Sequence, residues 1–183
     1  MILGGAGPRP AQAQSGGGDP LEPAGARVAA LDVALYNAQA NVREATDAEQ
    51  ANLATRVLHA TLAKLLPGQV ADTAAVHAAA HSDSSLAVAG GEPCNVIVAC
   101  ARAAAAAVGA RWVVMAKVSK TSNLIWLLSA QLVHVPSGTI VLDDSTELKG
   151  DPATMVQVGA RIFAERVART VRAGGVANNF PTP

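Results

Sequence analysis

The stretch that most limits what this chain can fold into runs from Cys94 to Gly150. An alanine-rich, helix-like run, CNVIVACARAAAAAVGA, is followed almost without spacing by three strand-like runs: WVVMAKVSK, SNLIWLLSAQLVHV and GTIVLDDSTELKG. The joining residues, Lys120-Thr121-Ser122-Asn123 and Pro136-Ser137-Gly138, carry turn chemistry. Links this short force antiparallel neighbours, because a parallel crossover needs a dozen or more residues. The expectation is a three-strand antiparallel meander, with the rest of the chain laid against it.

Residues 27–35, RVAALDVAL, are apolar on both faces of a strand, which suits an interior strand covered by helices. Asp32 is the exception and is expected near a strand end or facing a cleft. Thr46-Asp47-Ala48-Glu49 matches the capping box, in which two side chains satisfy free amides at a helix start. Leu53, Val57, Leu58, Leu62, Leu65 and Leu66 then recur at three- and four-residue steps, one apolar stripe on a helix that Pro67-Gly68 ends. A short strand over 69–71 and a short helix over ADTAAVHAAAHSD follow, and SSLAVAGGEP reads as loop. Pro93 opens the cysteine-bearing helix and Gly109 sits where a left-handed C-cap belongs. Asp151-Pro152 caps and opens the last helix, whose expected buried stripe is Met155, Val158, Ile162, Phe163, Val167 and Val171. Arg166, Arg169 and Arg172 lie toward its C-terminus, where the helix dipole favours cations. The order β-α-β-(α)-α-β-β-β-α describes a single mixed β-sheet with helices packed on it, of α/β (α+β) class. One domain spans 27–173, between a leader and flexible linker over 1–26 and a loose tail over 174–183.

Composition narrows the function. Aromatics make up 3% of the chain, too few for a stacking platform for sugars or single-stranded nucleic acid. Fourteen basic residues balance fourteen acidic ones, so no excess charge steers the protein to nucleic acid or anionic lipid. No apolar run is long enough to cross a bilayer. Ala11-Gln12-Ala13 has the small-x-small pattern of a signal-peptidase site, although a charged n-region is missing and the apolar segment before Pro8 is short. The reading is the remnant of a signal peptide, and a periplasmic or secreted location; the other reading is a disordered Gly/Pro/Gln leader.

Several blocks resemble a known family. They are the Cys94-x5-Cys100 helix, Val108-Gly109-Ala110-Arg111 leading into a strand, Lys117-Val118-Ser119, Ser122-Asn123-Leu124-Ile125, and Glu147-Leu148-Lys149-Gly150-Asp151. Together they resemble the exported bacterial family known as domain of unknown function 2380, over roughly residues 27–172. Here Lys120-Thr121-Ser122 stands as an insertion between Ser119 and Asn123, and Lys149 replaces an arginine of the family block. More distantly the element order is similar to TolB N-terminal and CsgG-like envelope domains. The resemblance implies fold and compartment, and an envelope or periplasmic protein partner, with no assigned activity.

The residues that carry chemistry are few. Two cysteines in an exported domain invite a disulfide between Cys94 and Cys100. Six residues along a helix rise about 9 Å, beyond the roughly 7 Å limit for bridged Cα atoms. The bond therefore requires Cys94 to lie off the helix, folded back from Pro93; the alternative is two thiols, one packed in the core. His77 and His81, spaced to share a helix face, with oxygen from Asp72 or Asp83, suit a Zn²⁺, Cu²⁺ or Ni²⁺ ion; two solvated histidines are the other reading. Lys117, Ser119, Lys120, Thr121, Ser122 and Asn123 form a polar hairpin tip that suits an anion or simply satisfies its own backbone. Asp143, Asp144, Glu147 and Asp151 form an acidic cluster without EF-hand spacing. His134 reads as a packed or edge histidine. No nucleophile elbow, phosphate loop or dinucleotide fingerprint is present, so no catalytic residue and no cofactor are assigned. The expected function is a non-catalytic binding or assembly module that docks a protein partner or a small ligand; the alternatives are a small metal- or anion-binding protein and an enzyme of unrecognised class.

Overall fold

The computed structural model describes residues 21–22, 25–36, 44, 46–122 and 125–176. The leader with Ala11-Gln12-Ala13, residues 37–43, Asn123, and the tail beyond 176 lie outside the described residues. The elements are β1 (Val28–Ala30), β2 (Ala34–Leu35), α1 (Asp47–Leu65), α2 (Thr73–Ala80), α3 (Asp83–Ala89), α4 (Val98–Ala107), β3 (Trp112–Ser122), β4 (Ile125–His134), β5 (Ile140–Lys149) and α5 (Pro152–Arg172). A 3₁₀ turn over Cys94–Val96 precedes α4.

The expected meander forms. β3 pairs antiparallel with β4, and β4 with β5, in the order β1-β3-β4-β5. β1 and β2 both run parallel to β3 along its other edge, so the sheet is mixed. The single strand expected over 27–35 is thus two short ones. Lys120-Thr121-Ser122 is not a turn: β3 continues to Ser122, and the pairing with β4 shifts register between Lys120 and Ser122. Thr121 falls between the paired Lys120 and Ser122 as a one-residue bulge, its hydroxyl donating to the Ile125 carbonyl at 2.9 Å.

Alternation along the strands gives the sheet two faces. Trp112, Val114, Ala116 and Val118 of β3, with Trp126, Leu128, Ala130 and Leu132 of β4, are buried against α1 and α5. Those helices approach each other through small residues, Ala51 and Ala54 on α1 and Ala160, Ala164 and Ala168 on α5, all buried. The stripe expected on α5 is therefore corrected at Ile162, which is 48% exposed: alanines rather than the larger residue face α1. On the opposite face α2, α4 and the 3₁₀ turn, with α3 packed against them, cover Ala29, Leu31, Val113, Met115 and Val133. They stop there, so among the described residues no helix lies over the rest of that face.

Two local readings are overturned. The segment from Ser84 to Ala89, expected as loop, belongs to α3, capped by Ser82, whose Oγ accepts from the Ser85 amide, and ended by Gly90 in the left-handed region. The capping box at α1 does not form: Thr46 makes no side-chain cap. Asp47 is engaged elsewhere, its carboxylate accepting from the Glu44 amide at 2.8 Å and from Lys120 Nζ at 3.2 Å. Lys120 is buried, also bonded to Glu44 at 3.0 Å, with its ammonium 5.8 Å from the Trp126 ring centroid. Burial pulls this lysine's pKa down, but the Glu44 and Asp47 carboxylates outweigh it and hold it above the ordinary value.

Cys94 lies in the 3₁₀ turn, and α4 begins only at Val98, which brings the two cysteine Cα atoms to 5.1 Å; the sulfurs are bonded at 2.08 Å. Closing so short a loop restrains the unfolded chain by about 2 kcal/mol. The double variant Cys94→Ala, Cys100→Ala is expected to lose that much in urea unfolding, and reductant is expected to bring the wild type to the same midpoint.

Candidate functional site

The break between β1 and β2 builds the first candidate site. Four steps from Ala30 to Ala34 lie opposite three from Val114 to Lys117. The extra residue bulges, and Asp32 leaves the sheet at the C-terminal end of β1. Its carbonyl accepts from Asn95 Nδ2 at 2.7 Å. Its carboxylate accepts from His77 Nδ1 at 3.0 Å, and His59 Nε2 stands 3.9 Å away on the other flank. A cleft of about 200 Å³ opens here, over the strand ends, lined by Leu31, Asp32, Val76, His77, His81 and Asn95 among others. Crevices beyond the carboxyl ends of strands are the usual ligand sites of open α/β sheets.

Asn95 also borders a second hollow of about 200 Å³, with Met115, Lys117, Ser129, Gln131 and Asp143. Its Oδ1 is buried and has no hydrogen-bond partner among the described residues. The two hollows therefore meet at Asn95, where the cover of α4 and its 3₁₀ turn gives way to bare sheet. The register sets what that bare half carries: Gln131 and Asp143 beside the covered Met115, then Lys117, Ser129 and Ser145, then Ser119, Leu127 and Glu147. Lys117 Nζ lies 4.9 Å from the centroid of the Tyr36 ring at its margin.

This placement divides the residues expected at one hairpin tip. Lys117 and Ser119 belong to the bare face. Lys120 belongs to the opposite face, inside the core, held by Asp47 and Glu44. Ser122 pairs with Ile125 at the strand end, and Asn123 lies outside the described residues. The expected acidic cluster is dispersed too. Asp143 accepts from Gln131 at 3.1 Å, Asp144 from Arg166 at 2.6 Å, Glu147 lies 3.5 Å from Lys149, and Asp151 caps α5 through the Thr154 amide. The metal reading is likewise re-partnered. Asp72 caps α2 through the Ala75 amide, a turn or more from the histidines, and Asp83 opens α3; the carboxylate that reaches His77 is Asp32. Among the described residues no three His, Cys, Asp or Glu side chains are gathered as a metal site.

A second constellation escapes sequence reasoning. Glu22 Oε1 accepts from Arg111 Nε at 2.8 Å and Nη2 at 2.5 Å, and from His134 Nε2 at 3.0 Å. His134 Nδ1 in turn meets Ser137 Oγ at 2.8 Å. A hydroxyl, an imidazole and a carboxylate in line suggest a nucleophile relay. The remaining bonds argue for a clamp instead. Ser137 Oγ is committed to the Thr139 amide and hydroxyl, and His134 is buried beside Trp112, ring centroids 5.0 Å apart. The Leu21 and Glu22 amides donate to the Gly174 carbonyl, so the network pins the incoming chain to the end of α5. Hydrogen bonds from Arg111 and then His134 hold the Glu22 carboxyl below its ordinary value of 4.5. A lowered folded pKa adds stability that is present above the unfolded value and lost as pH falls through the folded one. Glu22→Gln is therefore expected to cost about 1 kcal/mol at neutral pH. The gap from wild type should close as urea titrations move below pH 4.5.

Fold and surface define a small α+β domain with one sheet face covered and the other half open. The sequence matches the family model described as Protein of unknown function (DUF2380) over residues 26–167. The chain belongs to that family. No curated protein matches it. Among solved structures it is similar to the LpoB C-terminal domain from Salmonella enterica, with 18% identity, TM-score 0.47, and 70% of this chain and 85% of that chain covered. It is similar to the PelC dodecamer from Paraburkholderia phytofirmans, with 16% identity, TM-score 0.43, and 87% and 94% covered. It is similar to lipoprotein GNA1162 from Neisseria meningitidis, with 12% identity, TM-score 0.43, and 79% and 98% covered. No helix among the described residues is long and apolar enough to cross a membrane.

Proposed function

We propose that this protein is an exported, non-catalytic binding module that docks a protein partner on the open half of its sheet. The observation that carries the reading is the uncovered face itself. A sheet of this size gains stability by burying both faces, yet among the described residues no helix lies over the rows of β3, β4 and β5 that carry Lys117 and Ser119. Serines and Gln131 let that face stand in water, while Leu127, half-buried, and Tyr36 give a partner apolar footing. Lys117 on one side and Asp143 and Glu147 on the other give it a charge gradient that fixes orientation on docking. Export is supported by the Cys94–Cys100 bond, since cytosolic thiols are kept reduced.

The test is affinity capture from an envelope fraction with three baits: wild type, Ser129→Arg on the bare face, and Arg161→Glu on the exposed surface of α5. The expected result is one partner retained by wild type and Arg161→Glu and lost by Ser129→Arg. Equal retention by all three would remove the proposed face.

A further inference from the structure

A second site stands at the end of α2 and does not rest on the docking face. We infer that His77 and His81 form an open binding site for a divalent transition-metal ion of the Cu²⁺, Ni²⁺ and Zn²⁺ group.

The argument starts from proton positions. His77 Nδ1 meets the Asp32 carboxylate at 3.0 Å. His81 Nδ1 meets the His77 carbonyl at 2.8 Å. A carboxylate and a carbonyl only accept, so in the neutral imidazoles both Nδ1 atoms carry the proton. Both Nε2 atoms then carry the lone pair. This is the arrangement of metal-bound histidine: one ring nitrogen donates to a carboxylate or backbone carbonyl, which fixes the tautomer and raises the basicity of the other. The helical i, i+4 spacing places the two rings side by side, centroids 4.1 Å apart. Both rings line the solvent-open cleft and His77 is 58% exposed, so an ion enters without unfolding anything.

Ligand type selects the ion. Two imidazoles favour copper, nickel and zinc over magnesium and calcium, which prefer oxygen, and Cu²⁺ binds most tightly of the three. Two protein ligands leave the remaining positions to water or to a donor from outside. Asp32 does not touch the ion; it orients His77 and is itself anchored by Asn95 Nδ2 at 2.7 Å.

The test titrates the full chain with Cu²⁺ alone at neutral pH, by calorimetry and by electron paramagnetic resonance, which counts coordinated nitrogens. The expected result is one ion per chain with two imidazole nitrogens. His77→Ala and His81→Ala should each weaken binding about 100-fold, and Asp32→Asn about 10-fold with both nitrogens retained. Alanine suits the helix interior at His77, and His81 is the exposed C-cap of α2, so unchanged circular dichroism shows that loss of binding is not loss of fold. Loss in only one histidine variant, affinity unchanged in both, or no binding at about 100 μM Cu²⁺ would each overturn the site.

Discussion

Trp112→Ala is expected to destabilise the domain by about 3–5 kcal/mol, enough to lower the melting temperature by roughly 10 °C or more. Trp112 is fully buried at the start of β3, where β1 pairs on one side and β4 on the other. It stacks near His134 and underlies the chain as it leaves α5. A second variant makes the prediction sharper. Trp112 Nε1 is buried with no hydrogen-bond partner among the described residues, which offsets part of what the ring contributes. Trp112→Phe removes that orphan donor along with some volume and should cost less than about 1.5 kcal/mol. If phenylalanine costs as much as alanine, the ring is not packed as described.

Gly175→Ala should produce the other large loss, about 2–4 kcal/mol, from two sources. The backbone there has φ of +87°, a conformation side chains resist. A Cβ would also fall 2.3 Å from Cη2 of Trp112, inside any van der Waals contact. Gly68→Ala separates the two, because Gly68 has φ of +74° with nothing within 4 Å and should show the conformational cost alone. In a Trp112→Ala background the steric part of the Gly175→Ala penalty should vanish. The two substitutions should thus be strongly non-additive, as expected for residues in contact.

Much of the fold is legible in the sequence because its signals are local. The meander is fixed by alternation and by short links, and the start and end of α5 by Asp151-Pro152 and Gly174. Misreadings arise where a distant partner outweighs the local pattern. Thr46-Asp47-Ala48-Glu49 spells a cap, but Lys120, 73 residues away, claims Asp47. Glu22 sits in a stretch that reads as linker, and its partners lie 89 and 112 residues on. Lys120 reads as part of a polar tip, but the register puts it on the core face. Ile162 fits an apolar stripe that close helix packing assigns to alanines. Asp32 is the instructive case. Its charge inside an apolar strand marks it as exceptional, yet only the one-residue mismatch against β3 explains how it leaves the sheet and finds His77.

The proposal that the bare half of the sheet receives a protein partner is tested most directly by contact in the cell. A photo-activated crosslinking amino acid placed at Ser129, and separately at Arg161, reports what touches each surface. A discrete covalent adduct from position 129 and none from 161 is the predicted result. No adduct from 129, or the same adduct from both, would contradict it.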